Sequence, residues 1–301
     1  MRSGFSFSAW TTILRAGNSL TGFFGVAFGA VLVLGEIPQG SLAQITLLHS
    51  ISVWCFMCSW NALNDILDVK IDGINRPNRP LPSGVISLSQ AKFVTGLLMV
   101  VSLVSLIFAG NIASGLSSGV EEWYPSVAIW LFAIFLLTNY ESSGNLSLKL
   151  KDRGLPGNIA ISLSVGMVVL FGAAGVFDWA NPKVISIFLI GFFYNLGREI
   201  IKDIEDMDGD QGRNTLAMRI GPEKTRLIAW TLMLVTMITV LLPFGLGIFP
   251  LLHLLLVTPG IISLQMVKAK LANSEDHAAQ SLIKKSMQLT LIGLMISAIM
   301  V

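Results

Sequence analysis

The feature that most limits the fold of this chain is a series of long apolar runs. An α-helix needs about 20 apolar residues to cross the hydrocarbon core of a bilayer. About nine runs of that size lie at approximately 8 to 34, 41 to 62, 88 to 110, 124 to 143, 155 to 176, 183 to 201, 225 to 247, 250 to 270 and 281 to 301. Of the 301 residues, 53% are hydrophobic and only 13% are charged. The sequence therefore predicts an all-α integral membrane protein, a bundle of about nine transmembrane helices.

The whole chain, residues 1–301, is predicted to form one membrane domain. Two acidic motifs recur 138 residues apart, each at the end of an apolar run. This offset favours a duplication, in which two four-helix halves at about 1–143 and 155–270 are followed by a ninth helix. The N-terminus lacks the short apolar region and cleavage site of a signal peptide, so we expect the first run to be retained as a span.

The distribution of charge predicts the orientation. Basic residues cluster before the first run and in the connections after even-numbered runs, whereas only Lys183 falls on the opposite side. By the positive-inside rule, the clustered side is cytoplasmic. The protein is therefore predicted to lie in the cell membrane with its acidic motifs open to the cytoplasm. Its basic rim would attract anionic lipid headgroups, and no nucleic-acid partner is expected.

The two acidic motifs share one spacing. Asp65, Asp68 and Asp72 form the first, and Asp203, Asp206 and Asp210 form the second. Positions i, i+3 and i+7 lie on one stripe of a helix, so each motif aligns three carboxylates. Because an unpaired aspartate costs about 2.5 to 3.5 kcal/mol at a bilayer centre, we expect a cation to neutralise them. Mg²⁺ is the candidate, since it binds carboxylate oxygens and shares its remaining sites with substrate phosphates.

A basic connection directly follows each acidic motif. The first, residues 73–84, is Pro-rich and is predicted to be extended; the second spans residues 209–222. Carboxylates, basic loops and apolar walls together suit a substrate with a phosphate head and a hydrocarbon tail. Such a site favours ionisation of an allylic diphosphate, in which Mg²⁺ and Arg or Lys stabilise the departing charge. The two cysteines and three histidines lack metal-ligand spacing, so no zinc site is predicted.

These motifs resemble those of the UbiA-type intramembrane prenyltransferases. The resemblance extends from Arg15 to about Gly221. The stretch NRPNRPLPSG, which follows the first motif, is also similar. The individual residues that carry the resemblance are Arg15, Asn18, Asn64, Asp68, Asp72, Lys151, Gly157, Asn158, Asp206 and Asp210. It implies a nine-helix bundle around a central cavity that opens to the cytoplasm and, laterally, to lipid.

The resemblance also implies the chemistry and the residues that perform it. A polyprenyl group would pass from its diphosphate to a lipophilic acceptor, with two Mg²⁺ ions bridging the diphosphate. The implied metal ligands are Asn64, Asp65, Asp68, Asp72, Asp203, Asp206 and Asp210, and the implied catalytic residues are Asp68, Asp72, Lys151, Asp206 and Asp210. Contacts to the diphosphate or the acceptor are expected from Arg15, Asn18, Asn64, Arg76, Arg79, Asn158, Lys202 and Arg213.

The acceptor is the least constrained part of the prediction. The segment REIIKDIEDMDGDQGRNTLAMRIG is most similar to family members that join a second geranylgeranyl chain to a glycerol phosphate monoether. An aromatic quinone precursor or a chlorophyllide-type acceptor is the alternative. A cation-coupled transporter is a further hypothesis, although transporters usually place charged sites near the midplane. A membrane scaffold explains neither the spacing nor the loops, and the oligomeric state is left open.

Overall fold

The computed structural model describes residues 6–141, 147–207 and 214–300. Within these ranges the chain forms helices and turns, and no residue forms a β-strand. Two of the predicted site residues, Asp210 and Arg213, lie outside them. The helices are α1 (Phe7–Ile13), α2 (Ala16–Leu34), α3 (Gly40–Leu67), α4 (Val69–Asn75), α5 (Leu88–Ser114), α6 (Tyr124–Glu141), α7 (Leu155–Ala174), α8 (Pro182–Glu205), α9 (Leu216–Ile220), α10 (Pro222–Gly245), α11 (Leu254–Gln265), α12 (Val267–Ala272) and α13 (Asp276–Ile299), with 3₁₀ turns at Leu150–Arg153 and Leu251–His253.

The predicted all-helical membrane fold is confirmed. Among the described residues, eight helical segments are long and apolar enough to cross a membrane: α2, α3, α5, α7, α8, α10, Leu251–Ala272 and α13. Helix α6 accounts for the remaining predicted run. It has 18 residues and packs against α7, but its last turn, which contains Asn139 and Glu141, is polar.

Helices α2, α7 and α8 form the centre of the bundle. Helix α2 packs against α3 and α7, and α8 packs against α7, α10 and α13. The crossing of α2 and α7 is especially close: a Cβ on Gly29 would collide with the Val169 carbonyl, and one on Gly172 with the Val26 carbonyl. Small residues let two backbones approach in this way, which is typical of helix contacts in membranes. This crossing joins the N-terminal helices to the rest of the bundle.

The first apolar run is not one helix, so the predicted span at 8 to 34 is wrong in this respect. Helix α1 ends at Ile13, and Arg15 adopts a left-handed conformation (φ 44°, ψ 48°) before α2 begins. Hydropathy does not detect the break, because apolar residues flank it on both sides. The break places Arg15 beside α3, where its guanidinium contacts polar side chains.

Other predicted spans end too early; α5, for example, continues to Ser114, beyond the predicted end at 110. Helix α3 continues to Leu67 and α8 to Glu205, beyond the predicted ends at 62 and 201. Helical hydrogen bonding also continues through Asp68, whose N–H donates to the Asn64 carbonyl (2.9 Å) and whose carbonyl accepts from the Asp72 N–H (2.8 Å). The first acidic motif therefore lies on nearly continuous helix, as predicted.

The Pro-rich connection folds into turns, so the prediction of an extended loop is wrong. The Ser83 N–H donates to the Arg79 carbonyl, and the Gly84 N–H donates to the Leu81 carbonyl, both at 3.0 Å. Leu81 and Ile86 are buried in a small apolar cluster with residues of α1 and α3. These apolar contacts fix the loop against the helices and hold Arg79 close to the first acidic motif.

Candidate active site

Two carboxylates of the first acidic motif share one arginine. Arg79 Nη1 lies 2.6 Å from Asp72 Oδ2 and 3.5 Å from Asp65 Oδ1. Arg15 Nη2 lies 3.3 Å from the same Asp65 oxygen. Asp65 and Asp72 are each only 6% exposed, and buried carboxylates of this kind require a positive partner. The Pro-rich loop and the break before α2 supply these two partners.

The third carboxylate of the motif, Asp68, binds a different cation. Lys151 Nζ lies 2.9 Å from Asp68 Oδ2 and 3.0 Å from Glu141 Oε2. The other oxygen of Glu141 accepts a hydrogen bond from Asn64 Nδ2 (2.8 Å), and Asn64 Oδ1 accepts one from Arg15 Nη2 (3.3 Å). Asn64 and Glu141 therefore connect the Lys151 contacts to the Arg15 contacts in one polar network.

Glu141 was not among the predicted site residues. The sequence did contain an indication of its importance, because a carboxylate inside a predicted span is a functional candidate by default. It lacked a motif, however, and its two partners are 77 and 10 residues away in the chain. Only the tertiary structure shows that Glu141 orients both Asn64 and Lys151.

The connected network has an excess of negative charge. It contains four carboxylates and three cations, which gives a formal charge of −1; the members are Asp65, Asp68, Asp72, Glu141, Arg15, Arg79 and Lys151. All of these contacts lie at the end of the bundle where α2 begins and α3 and α6 end. An excess negative charge at a buried site favours the binding of a further cation.

The second acidic motif contacts α7. Asp203 accepts a hydrogen bond from Asn158 Nδ2 (2.8 Å), and Asp206 forms the C-cap of α8. On the same helix, Glu199 pairs with Arg198 at 2.9 Å and lies 3.7 Å from Lys202 Nζ. The predicted phosphate contact Lys202 therefore has a carboxylate neighbour in the structure.

One short segment, residues 147–158, contacts both acidic motifs. Its Lys151 binds Asp68 and its Asn158 binds Asp203. The segment turns sharply at Gly154, which has a φ of +66° and lies so close to the Asn214 carbonyl that a Cβ would be 2.8 Å from it. The Asn214 N–H also donates to the Asp152 carbonyl at 3.1 Å. One segment of the chain therefore links the end of α3 to the end of α8.

Besides Asn158 and Lys202, two further predicted substrate contacts lie outside the network. Arg76 is exposed and borders a cavity of about 600 Å³ between α1 and the Pro-rich loop. Asn18 lies on α2, where its Oδ1 accepts a hydrogen bond from Lys284 Nζ at 3.3 Å. Arg15 is the N-cap of α2 and its carbonyl accepts a hydrogen bond from the Ser19 N–H (3.0 Å), so Arg15 and Asn18 both lie in the first turn of α2.

The residues implied as magnesium ligands fit Mg²⁺ in the type of donor. Carboxylate and amide oxygens are the hard donors that this ion binds, and the network has one negative charge in excess. In the described ranges, no three acidic, histidine or cysteine side chains converge as a metal site. The first-motif carboxylates pair instead with arginine and lysine, and the expected ligand Asp210 lies beyond these ranges.

The fold and the charged network define a class: a multi-pass membrane protein with a carboxylate-rich site at one end of its helical bundle. The UbiA prenyltransferase family matches the chain over residues 22–292. The chain therefore belongs to the UbiA prenyltransferase family, and it is an enzyme that transfers prenyl groups. This confirms the resemblance carried by the acidic motifs and leaves the transporter and scaffold hypotheses without support.

Several archaeal proteins are similar over nearly the full length. A digeranylgeranylglyceryl phosphate synthase from Methanococcus aeolicus is 31% identical over 294 residues, covering 96% of each chain. One from Thermococcus gammatolerans is 31% identical over 302 residues, which covers 97% of this chain and 99% of the relative.

Solved structures share the fold. A digeranylgeranylglyceryl phosphate synthase structure has a TM-score of 0.74 at 26% identity, covering 100% of both chains. A UbiA homologue from Archaeoglobus fulgidus bound to GPP and Mg²⁺ has a TM-score of 0.64 at 19% identity, covering 97% of this chain and 100% of the other. The UbiA-like helical architecture predicted from the motifs is thereby confirmed.

Proposed function

We propose that this enzyme transfers a geranylgeranyl group from geranylgeranyl diphosphate to geranylgeranylglyceryl phosphate in a magnesium-dependent reaction. The product would be digeranylgeranylglyceryl phosphate, an ether lipid precursor. Full-length similarity to proteins named for this synthesis supports the choice of acceptor. The same fold holds GPP and Mg²⁺ in the Archaeoglobus relative, which supports the donor class and the metal.

The observation that carries this proposal is the junction of the two acidic motifs. Asp68 and Asp203 are 135 residues apart in the chain, yet the segment 147–158 contacts both. A diphosphate has two phosphate groups and several negative charges, so its binding requires cations and metal-binding carboxylates around one position. The junction provides both within a bundle whose apolar helices suit a hydrocarbon chain.

Each group of side chains has a proposed role. Asn64, Asp65, Asp68, Asp72, Asp203, Asp206 and Asp210 would hold Mg²⁺, which neutralises the diphosphate and stabilises it as a leaving group. Arg15, Arg79 and Lys151 hold the carboxylates of the first motif in place through the contacts described above, and their positive charges would attract the diphosphate oxygens. Glu141 orients Lys151 and Asn64.

The proposed reaction breaks one carbon–oxygen bond and forms another. The donor C1–O bond breaks with both electrons leaving on the diphosphate, so negative charge develops where Arg79 and Lys151 can stabilise it. The hydroxyl oxygen of the acceptor then forms an ether bond to C1, and its proton passes to a carboxylate of the site or to the departing diphosphate. Apolar helices around the site exclude water, which would otherwise capture the allylic cation.

We also propose that the site opens to the cytoplasm. The basic residues in the connections after α3 and α6, and Lys270 of α12, lie at the same end of the bundle as the acidic motifs. The positive-inside rule assigns that end to the cytoplasm, where a water-soluble diphosphate product can leave.

The proposal is tested with purified enzyme in detergent, Mg²⁺, radiolabelled geranylgeranyl diphosphate and a panel of acceptors. We expect labelled digeranylgeranylglyceryl phosphate from geranylgeranylglyceryl phosphate, and loss of product when EDTA removes the metal. Product from an aromatic acid or a chlorophyllide, and none from the glyceryl phosphate, would overturn the acceptor assignment. Full activity in EDTA would overturn the metal assignment.

A further inference from the structure

Lys284 is a cation inside a membrane-length helix that has no carboxylate partner among the described residues. Its only hydrogen-bond partner there is the Asn18 side-chain oxygen, at 3.3 Å. Lys284 lies eight residues after Asp276, where α13 begins, which corresponds to about 12 Å along the helix axis. An amide oxygen accepts a hydrogen bond but does not neutralise a positive charge, and a charge at this depth is costly unless an anion compensates it.

Several cations at this end of the bundle have the carboxylate partner that Lys284 lacks. Arg15, Arg79 and Lys151 each contact a carboxylate, at 3.3, 2.6 and 2.9 Å respectively. Lys270 likewise pairs with Glu275 at 2.6 Å. Lys284 is half-buried, whereas the neighbouring Lys285 is exposed. The ammonium of Lys284 has no carboxylate partner among the described residues and forms its hydrogen bond to Asn18 at an exposed position, so it can bind the anion of a ligand.

The position of Lys284 is fixed by contacts on both sides of it along α13. Tyr194 of α8 hydrogen-bonds Ser286 and Thr290, both at 2.9 Å. Nearer the start of α13, His277 Nδ1 lies 2.8 Å from Glu205 of α8. The two helices are thus antiparallel, and Lys284 lies at a level between Tyr194 and Glu205, the part of α8 that approaches the second acidic motif.

The α2 side of this position adjoins the first motif. Asn18, which binds Lys284, lies in the first turn of α2, three residues after the N-cap Arg15, and Arg15 contacts Asp65 and Asn64. Lys284 therefore lies beside the proposed diphosphate site but on a different helix from all of its members. A second anionic group bound next to the diphosphate would need a cation in such a position.

We propose that the side chains of Lys284 and Asn18 bind the phosphate of the acceptor, an inference that rests on the proposed function. A glyceryl phosphate bears its phosphate close to the hydroxyl that attacks the donor, so the phosphate must lie near the diphosphate without overlapping it. The carboxylate-rich network repels a phosphate that is not bridged by metal. The ammonium of Lys284 and the amide of Asn18 offer charge-assisted and neutral hydrogen bonds at the edge of that network.

The test compares Lys284→Gln with Lys285→Gln, a matched change at the exposed neighbouring lysine. KM is measured for three substrates: the donor diphosphate, geranylgeranylglyceryl phosphate, and geranylgeranylglycerol, which lacks the phosphate. We expect Lys284→Gln to raise KM for the phosphorylated acceptor about 10- to 100-fold, the usual size of a lost hydrogen bond to a charged group. Its KM for the donor and its rate with geranylgeranylglycerol should stay at the wild-type values, and Lys284→Arg should recover most of the affinity.

Unchanged rates with geranylgeranylglycerol also show that Lys284→Gln is folded. The inference is overturned if Lys284→Gln retains the wild-type preference for the phosphorylated acceptor, or if its main effect is on the KM of the donor. Failure of the proposed function gives a different result in the same assay, because the wild-type enzyme itself would then make no product from geranylgeranylglyceryl phosphate. That result would overturn the proposed phosphate subsite as well.

Discussion

At the scale of single residues, Asp68 is the carboxylate through which the first motif contacts the segment 147–158. Its partner Lys151 also binds Glu141, so one ammonium joins two carboxylates from helices that are distant in sequence. Buried groups of this kind act as a unit, because removal of one leaves the others without compensation. Substitutions that keep the shape and remove only the charge are therefore the most informative.

We expect Asp68→Asn to lower kcat/KM by about 100-fold or more, a loss comparable to that of other preorganised electrostatic groups. The amide keeps the shape of the side chain but weakens the binding of both Lys151 and a metal ion. Asp178→Asn is the control, since Asp178 is exposed at the opposite end of the bundle. Near-normal turnover of Asp68→Asn in the radiolabel assay would show that this residue does not serve the diphosphate site.

Glu141 is expected to act through its neighbours. Glu141→Gln keeps a hydrogen-bond acceptor for Asn64 or Lys151 but removes the charge that attracts Lys151, so we expect kcat to fall about 10- to 100-fold, as for groups that orient metal ligands. The exposed Glu122→Gln serves as the matched control. Activity is measured against Mg²⁺ concentration for both variants. If Glu141 positions metal ligands, Glu141→Gln should raise the Mg²⁺ concentration needed for half-maximal rate. An unchanged Mg²⁺ dependence together with an unchanged kcat would contradict this role.

The site residues differ in how far the sequence could predict them. Asp68 and Asp72 follow from spacing alone, since helical periodicity places them on one stripe. Lys151 came only from the family resemblance, Arg15 came from that resemblance and from its position inside a predicted span, and Glu141 and Lys284 were not predicted as site residues. Their significance depends on contacts across the bundle, and a single sequence contains no direct record of which distant residues meet.

At the scale of helices, hydropathy predicted which segments are helical but not where the helices break or end. Arg15 interrupts an apolar run without changing its composition, because the break is a backbone conformation at one residue. Helix α3 extends past its apolar part because residues 61–67 are still hydrogen-bonded as helix. Turns in the Pro-rich loop likewise depend on the burial of Leu81 and Ile86, which loop composition does not reveal.

The crossing of α2 and α7 provides a test at this scale. We expect Gly172→Ala to lower stability by about 1 to 3 kcal/mol, the usual cost of overpacking, because the added Cβ would collide with the Val26 carbonyl. Gly96→Ala in α5 is the control: a Cβ there meets nothing within 4 Å, so the higher helix propensity of alanine should stabilise by up to about 1 kcal/mol. Apparent Tm values in detergent measure both, and equal Tm values for the two variants would contradict the close backbone contact.

At the scale of the whole molecule, the sequence predicted the class of fold because a bilayer allows few solutions for so many apolar runs. Composition does not determine how those runs are arranged around the site. Asp65, Glu141, Lys151 and Asp203 come from segments spread over nearly half of the chain, and the contacts among these segments depend on the packing of α2, α7 and α8 at the centre. Their shared orientation in the membrane is therefore a property that can be tested on the chain as a whole.

The orientation is tested with single serine-to-cysteine changes at exposed positions. Ser118 follows α5, and Ser274 lies between α12 and α13. Five predicted spans separate them if α6 crosses the membrane, and only four if it does not. We expect a membrane-impermeant maleimide to label Ser118→Cys in intact cells and Ser274→Cys only in inverted vesicles, because an odd number of crossings places the two on opposite sides. Cys55 and Cys58 are buried, so the wild-type protein supplies an unlabelled background.

Labelling of both variants from the same side would show that α6 does not span the bilayer, and labelling in the reverse order would show that the acidic motifs face away from the cytoplasm.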